Sequence, residues 1–109
     1  MIAVPTALME PFGLVARTVV PARAYENQLY VAYSNLCGCE GNLTYCGLSC
    51  VVGPDGEDQV RAGKAEVLLV ADIRPEVMAA VRRSNPILGD RRPELYGAPV
   101  KQFPVHPGK

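Results

Sequence analysis

The apolar positions of the chain alternate between short continuous runs and one longer helical pattern. Residues 2–8 (IAVPTAL) are a short apolar run that predicts a buried strand. Residues 11–30 then follow a helical period, and Pro21 either kinks this helix or opens a second one at its first turn. The positions spaced by three or four, which predict one shared face of the helix, are Leu14, Thr18, Ala22, Tyr25 and Leu29.

Four further segments follow the predicted helix. Residues 29–38 predict a strand that ends in a glycine-bearing loop, and residues 41–56 predict a strand closed by the turn signal GPDG. Residues 66–73 (EVLLVADI) predict another buried strand, and residues 74–86 predict a short helix with Pro75 in its first turn. The inner stripe of this helix is predicted to be Val77, Ala80, Val81 and Ser84. The order β-α-β-β-β-α, followed by a loop-like stretch, indicates an α+β or layered sandwich rather than a doubly wound sheet.

Composition limits the classes of function. A chain of 109 residues allows one domain at most, and eleven basic residues balance eleven acidic ones. This balance gives no attraction to nucleic acid or to an anionic membrane. No run approaches the roughly 18 apolar residues of a membrane span, and the N-terminus lacks the basic region of a signal peptide. A cytoplasmic, reducing compartment with free thiols is therefore expected.

All four cysteines lie in the stretch NLCGCEGNLTYCGLSC, at Cys37, Cys39, Cys46 and Cys50. Their spacing differs from the CxxC turns of zinc sites. In one regular strand, Cys46 and Cys50 would be roughly 13 Å apart on one face, too far to share a metal or a disulfide. Cysteine packs well as a small hydrophobe, and the single histidine, His106, lies in the Pro-rich tail. A zinc or thiol protein therefore stays the less favoured alternative, and no metal ligand is assigned.

An ordered series of short motifs resembles the carbon–nitrogen hydrolase family, also called the nitrilase superfamily, and its amidase-like members in particular. The series opens with an Arg-Ala-x-Glu-Asn helix and an apolar strand ending in Asn. A Tyr/Gly/Ser strand closed by Pro-x-Gly comes next, then the strand 66–73, a helix ending near Arg82, and an Arg-Pro-Glu-Leu-Tyr segment. The matching residues are Arg23, Glu26, Asn27, Asn35, Tyr45, Gly47, Ser49, Arg92, Glu94 and Tyr96.

The resemblance implies the C-terminal part of a four-layer α-β-β-α sandwich, with residues 1–97 as a partial hydrolase domain and 98–109 as an extended tail. It implies cleavage of linear amides by a Glu base, an oxyanion-stabilising Lys and a Cys nucleophile, without a metal or organic cofactor. In the family all three precede the strand that 2–8 matches, so no catalytic residue is assigned here. Whether this chain is itself an enzyme is left open. The alternative is a non-catalytic interaction module that forms homo-oligomers or binds a related chain.

The resemblance also suggests roles for individual residues. Thr6 and Ala7 would line the substrate pocket, although a plain strand end explains them equally well. Glu26 is expected to pair with Arg23 on the helix, and Asn27 to bond loop backbone near the helix end. The remaining motif residues would pack the strand (Tyr45, Gly47, Ser49) or hold the C-terminal segment and contact a partner subunit (Arg92, Glu94, Tyr96).

Overall fold

The structure is a computed structural model that describes residues 1–96, so the predicted tail 98–109 and His106 lie outside the described residues. A π-helical segment, Val15–Val19, leads into the first α-helix, and a 3-10 turn spans Pro93–Leu95. The strands and helices are β1 (Ile2–Thr6), α1 (Val20–Asn27), β2 (Val31–Asn35), β3 (Cys37–Glu40), β4 (Leu43–Cys46), β5 (Cys50–Val52), β6 (Asp58–Arg61) and α2 (Pro75–Ser84).

Four of the strands form one mixed sheet in the order β1-β2-β5-β6. The first two strands run parallel, because the helical segment between them carries the chain back to the same end of the sheet. The other two pairs are antiparallel. Strands β3 and β4 make a separate two-stranded hairpin. The layered α/β architecture expected from the sequence is confirmed.

The helical segment packs on one face of this sheet through small side chains. Ala16, Val20 and Ala24 are buried against sheet residues that include Tyr33 and Val52. The helix face predicted from the sequence is wrong: four of its five members are exposed, and only Leu29 packs against the core. The small side chains of Ala16 and Ala24 let the helical segment pack close to the sheet.

The opposite face of the sheet carries a row of small apolar side chains. Strand register places Ala3 beside Ala32, Ala32 beside Val51, and Val51 beside Val60. No helix packs on this row within residues 1–96. The Cα radius of gyration is 17.7 Å, against roughly 13 Å for a compact chain of this length. The described residues therefore form an open layer. The helical segment covers one face of the sheet, and the face that carries the row from Ala3 to Val60, on which no helix packs, is the uncovered face.

The predicted strand at residues 66–73 is wrong, because within residues 1–96 this segment joins no sheet. It passes β2 and β5, where Val67 and Leu69 border a cavity with Ala32 and Val51. Leu68 is 87% exposed. An apolar run becomes a strand only where a sheet edge offers hydrogen-bond partners, and no strand in residues 1–96 pairs with this segment.

The predicted single strand over residues 41–52 is two strands in different sheets. Gly47 and Leu48 both have left-handed backbone angles, with φ of 63° and 61°, and these angles break the extended run. Cys46 ends the hairpin, and Cys50 begins β5 of the main sheet. The 13 Å separation inferred for these two thiols therefore does not apply. Sequence reasoning also missed β3 and β6.

The two local signals that rest on proline are confirmed. In the GPDG turn, the Asp55 carboxylate accepts the Glu57 N–H at 3.1 Å, and Gly56 has a φ of 84°. Helix α2 begins at Pro75 and ends before Asn85, as predicted. Its half-buried side chains are Val77, Met78 and Val81, so the predicted stripe is correct in part. No helix in residues 1–96 is long and apolar enough to cross a membrane.

Candidate functional site

A cavity of about 350 Å³ opens where β2 ends, beside its parallel neighbour β1 and between β2 and residues 62–67. The chain after both strands turns there, and the connection from β4 to β5 passes the same edge. Open α/β sheets commonly bind ligands outside the carboxyl ends of their parallel strands. The polar or turn-forming residues of the lining are Ser34, Asn35, Cys37, Gly47, Ser49 and Glu66.

Asn35 clamps three chain segments together at this edge. Its Oδ1 accepts the Leu8 N–H at 2.7 Å, and its Nδ2 donates to the carbonyl oxygens of Leu8 and Gly47 at 3.0 and 2.9 Å. Ser49 completes the joint: its Oγ accepts the Asn35 N–H at 3.0 Å and donates back to the Asn35 carbonyl at 3.2 Å. These bonds commit the Asn35 amide to the backbone, so it shapes the cavity and is not free to bind a ligand.

The turn at Gly47 brings the β4–β5 connection against the far wall of the cavity. The Gly47 N–H donates to Leu36 at 3.0 Å, and the Leu48 N–H donates to Gly63 at 2.9 Å. A Cβ added at Gly47 would lie 2.8 Å from the Gly63 carbonyl oxygen and 3.0 Å from the Cα of Lys64. Both the positive φ and the close approach therefore require glycine at this position.

The two inner cysteines are held as neutral thiols. Burial raises the pKa of Cys46, and the neighbouring Glu10 carboxylate raises it further. Burial also raises the pKa of Cys50, although Arg61 opposes the shift. An ion pair between Lys64 Nζ and Glu10 Oε1 at 2.6 Å lies beside Cys46. Neutral, buried thiols of this kind pack as small hydrophobes and are poor nucleophiles.

The residues expected to line a substrate pocket lie at the same sheet edge. Thr6 is half-buried, and its carbonyl accepts the Leu36 N–H at 3.2 Å. Ala7 is exposed. Neither borders the 350 Å³ cavity, which lies on the side of β2 that faces residues 62–67. Their role in substrate binding stays a prediction.

The other motif residues have mainly local contacts. Arg23 and Glu26 form the predicted ion pair. The predicted bond from Asn27 to loop backbone is wrong: Asn27 donates to the Arg23 carbonyl at 3.0 Å within its own helix. Gln28, with a φ of 50°, is the residue that ends the helix. Tyr45 donates its hydroxyl to Glu40 at 2.9 Å. The motif residues of the C-terminal segment, which are exposed in and around the 3-10 turn, are Arg92, Glu94 and Tyr96.

Sequence reasoning missed two structural residues of this region. The backbone of Leu8 forms hydrogen bonds with the Asn35 side chain, and Cys46 also donates its N–H to the Leu8 carbonyl at 3.0 Å. Arg61 ties β6 to the helix by donating to the Ala16 carbonyl at 2.9 Å. Both contacts join segments far apart in the chain, so the sequence carries no local signal for them. Within residues 1–96, no three His, Cys, Asp or Glu side chains converge to hold a metal ion.

Comparison with known proteins identifies the family to which this fold and cavity edge belong. The family model described as carbon–nitrogen hydrolase matches residues 7–83, which is more than half of the chain. The chain belongs to the carbon–nitrogen hydrolase family. Its curated relatives include "Hydrolase in pqqF 5'region" of Pseudomonas protegens, 47% identical over 88% of this chain. Another is the "(R)-stereoselective amidase" of a Pseudomonas species, 37% identical over 89% of this chain.

Solved structures of the nitrilase superfamily share the fold. A mutant of the Nesterenkonia amidase is 42% identical over 85% of this chain, with a TM-score of 0.70. A carbon–nitrogen hydrolase from Helicobacter pylori is 30% identical over 84% of this chain, with a TM-score of 0.74. The chain covers 34% and 36% of the two Pseudomonas proteins and 32% and 37% of the two structures. It thus spans about a third of the length of the relatives it matches.

Proposed function

We propose that these residues form the C-terminal part of an amidase that hydrolyses the C–N bond of small, linear, non-peptide amides. The observation that carries the proposal is the Asn35 clamp, which holds the chain after β1 and the cavity-lining turn at Gly47 at the carboxyl edge of β2, in a chain that matches amidases over most of its length. The relatives named as amidases support the substrate class. One Nesterenkonia amidase structure carries the acetamide moiety of fluoroacetamide on its active-site cysteine, which supports a small substrate.

In the family mechanism a Glu takes the proton of the Cys thiol, and the sulfur attacks the amide carbon. A Lys stabilises the oxyanion that develops, the amine leaves, and water then cleaves the thioester. None of the four cysteines here matches that nucleophile, and Cys46 and Cys50 are buried as neutral thiols. The 109 residues alone are therefore expected to be inactive, and sequence matching the other two thirds of the relatives would supply the three groups.

Within such an enzyme, the described residues would act by position. The Asn35 clamp holds the chain after β1 at the sheet edge, and the neighbouring Thr6 and Ala7 would form one wall of the substrate pocket. A fixed wall of this kind orients a bound amide toward a nucleophile on another segment, which lowers the entropy cost of attack.

A chimera tests this assignment. The part of the Pseudomonas protegens hydrolase that this chain does not match would be fused in front of the 109 residues. Ammonia release from acetamide and longer linear amides would then be measured for the chimera, for the 109 residues alone, and for a chimera whose nucleophilic cysteine is changed to serine. We expect only the first protein to turn over. Activity of the 109 residues alone would refute the expectation that they need residues from the rest of the enzyme, and a folded but inactive chimera would refute the assignment to the amidases.

The uncovered sheet face supports a second, non-catalytic function as an association module. Ala3, Ala32, Val51 and Val60 lie in register along this face, and the apolar segment 66–73 runs beside it. A row of small apolar side chains is suited to packing against another sheet. Light scattering after size exclusion tests this function on the 109 residues. Self-association that Val51→Lys abolishes would support it, and a cooperatively folded monomer would contradict it.

A further inference from the structure

The hairpin of β3 and β4 brings two thiols together that the sequence places nine positions apart. Its register sets Cys37 directly opposite Cys46. The Cys46 N–H donates to Leu8 on the other side of the strand, and the next ladder bond runs from Gly47 to Leu36 at 3.0 Å. Cys37 and Cys46 are therefore a non-hydrogen-bonded pair, the closer of the two kinds of antiparallel pair.

We propose that Cys37 and Cys46 form a reversible cross-strand disulfide, so that the base of this hairpin is a redox-sensitive modification site. Non-hydrogen-bonded partners have Cα atoms about 4.5 Å apart, which lies within the range that disulfides span, about 4.4–6.8 Å. The next pair on the same face shows how near such side chains come, since Cys39 Sγ lies 3.5 Å from Thr44 Oγ1. The proposal does not rest on the proposed amidase function.

The surroundings of the two thiols assign the order of the reaction. Cys37 is half-buried and borders the 350 Å³ cavity, so a small disulfide such as oxidised glutathione reaches it from solvent. Cys46 is fully buried, and burial raises the pKa of its thiol, which makes it the slower nucleophile. Cys37 therefore reacts first, and Cys46 resolves the intermediate.

The exchange balances with oxidised glutathione as the oxidant. The Cys37 thiolate attacks one glutathione sulfur, the S–S bond of glutathione breaks, and one glutathione thiol leaves. Cys46 then loses its proton to solvent and attacks the Cys37 sulfur, and the second glutathione thiol leaves. The two protein sulfurs are oxidised, and the two glutathione sulfurs are reduced.

The other cysteine pairs fit a disulfide less well. Cys39 lies two residues from Cys37 on the same strand, roughly 6.6 Å away, close to the limit for a disulfide. Cys50 belongs to the other sheet, where its register partners are Tyr33 and Arg61. All four thiols are free in this structure, so the proposed bond is the oxidised counterpart of the state described here.

The test equilibrates the full chain with mixtures of reduced and oxidised glutathione, blocks free thiols, and maps the disulfides by mass spectrometry. Trypsin leaves all four cysteines on one peptide, residues 24–61. Cleavage after Glu40 and after Leu48 is needed, because these cuts separate Cys37 and Cys39 from Cys46, and Cys46 from Cys50. Cys37 and Cys39 stay on one peptide, and the serine variants below distinguish their links to Cys46. We expect the Cys37–Cys46 link to dominate in buffer and to lose this dominance in urea.

Two serine variants provide the matched comparison. Cys37→Ser should reduce the yield of intramolecular disulfide at least about tenfold, because it removes the only thiol opposite Cys46. Cys39→Ser changes the neighbouring exposed thiol on the same face and should leave the yield unchanged. A dominant link of another pair in buffer, only glutathione adducts at Cys37, or equal yields in both variants would overturn the proposal.

Discussion

Replacement of Asn35 by alanine is expected to destabilise the chain by about 2–4 kcal/mol. The Asn35 amide makes three hydrogen bonds to backbone groups of Leu8 and Gly47, with lengths from 2.7 to 3.0 Å. Two of these groups, the Leu8 N–H and the Gly47 carbonyl, lose the partner that Asn35 provides. The Leu8 carbonyl keeps its bond from Cys46. An orphaned backbone group costs about 1–3 kcal/mol when buried, and partial exposure of Leu8 lowers the total.

Urea unfolding followed by circular dichroism measures this change. The exposed neighbour Ser34 offers a matched control, because Ser34→Ala should alter the free energy of unfolding by less than about 0.5 kcal/mol. Asn35→Asp keeps the acceptor for the Leu8 N–H but sets a carboxylate against two carbonyl oxygens, so it should be no better than alanine. A loss below about 0.5 kcal/mol for Asn35→Ala, with an unchanged m-value, would refute the clamp.

Two further predictions concern the turn and the buried thiols. Gly47→Ala should destabilise the fold by more than about 2 kcal/mol, because the strain of a positive φ adds to the clash with the Gly63 carbonyl. Gly38→Ala has a similar φ, 82°, but open space around it, and should therefore cost about 1 kcal/mol. Equal losses in urea unfolding would argue against the close contact. The raised pKa values of Cys46 and Cys50 favour neutral thiols in the fold, so their stabilisation is present below about pH 8.5 and is lost as pH rises. Urea unfolding between about pH 7 and 10 should show this decline. Cys50→Ala should reduce its slope, and an unchanged slope would contradict the assignment.

The uncovered face of the sheet explains, in physical terms, why this chain matches only part of the layered sandwich of its relatives. A sheet with a helix on one side and small apolar side chains on the other is one half of a layered sandwich. The row from Ala3 to Val60 and the exposed segment 66–73 are the surfaces that a second half would cover. This agrees with a chain that spans about a third of its relatives.

Signals that act over a few residues were read correctly from the sequence. Pro75 at the start of α2, the Asp55 turn and the Arg23–Glu26 pair depend on groups that are neighbours along the chain. The strand at residues 2–6 was also located, because it is continuous in the sequence, but its predicted burial is wrong: β1 is an edge strand, and three of its five residues are exposed. Local steric and hydrogen-bonding preferences account for the proline helix start, the turn and the ion pair.

The tertiary structure decided which surfaces are buried and what the cysteines do. Apolar spacing could not choose between two faces of the first helix, because the choice depends on how closely Ala16 and Ala24 approach the sheet. The run 66–73 looked like a strand, but its partner edge is not found in residues 1–96. The left-handed turn at Gly47 and Leu48 separated Cys46 from Cys50, and hairpin register instead set Cys46 opposite Cys37. Sequence alone determined the local elements and the family, whereas burial and pairing required the three-dimensional fold, because they depend on contacts between residues far apart in the chain.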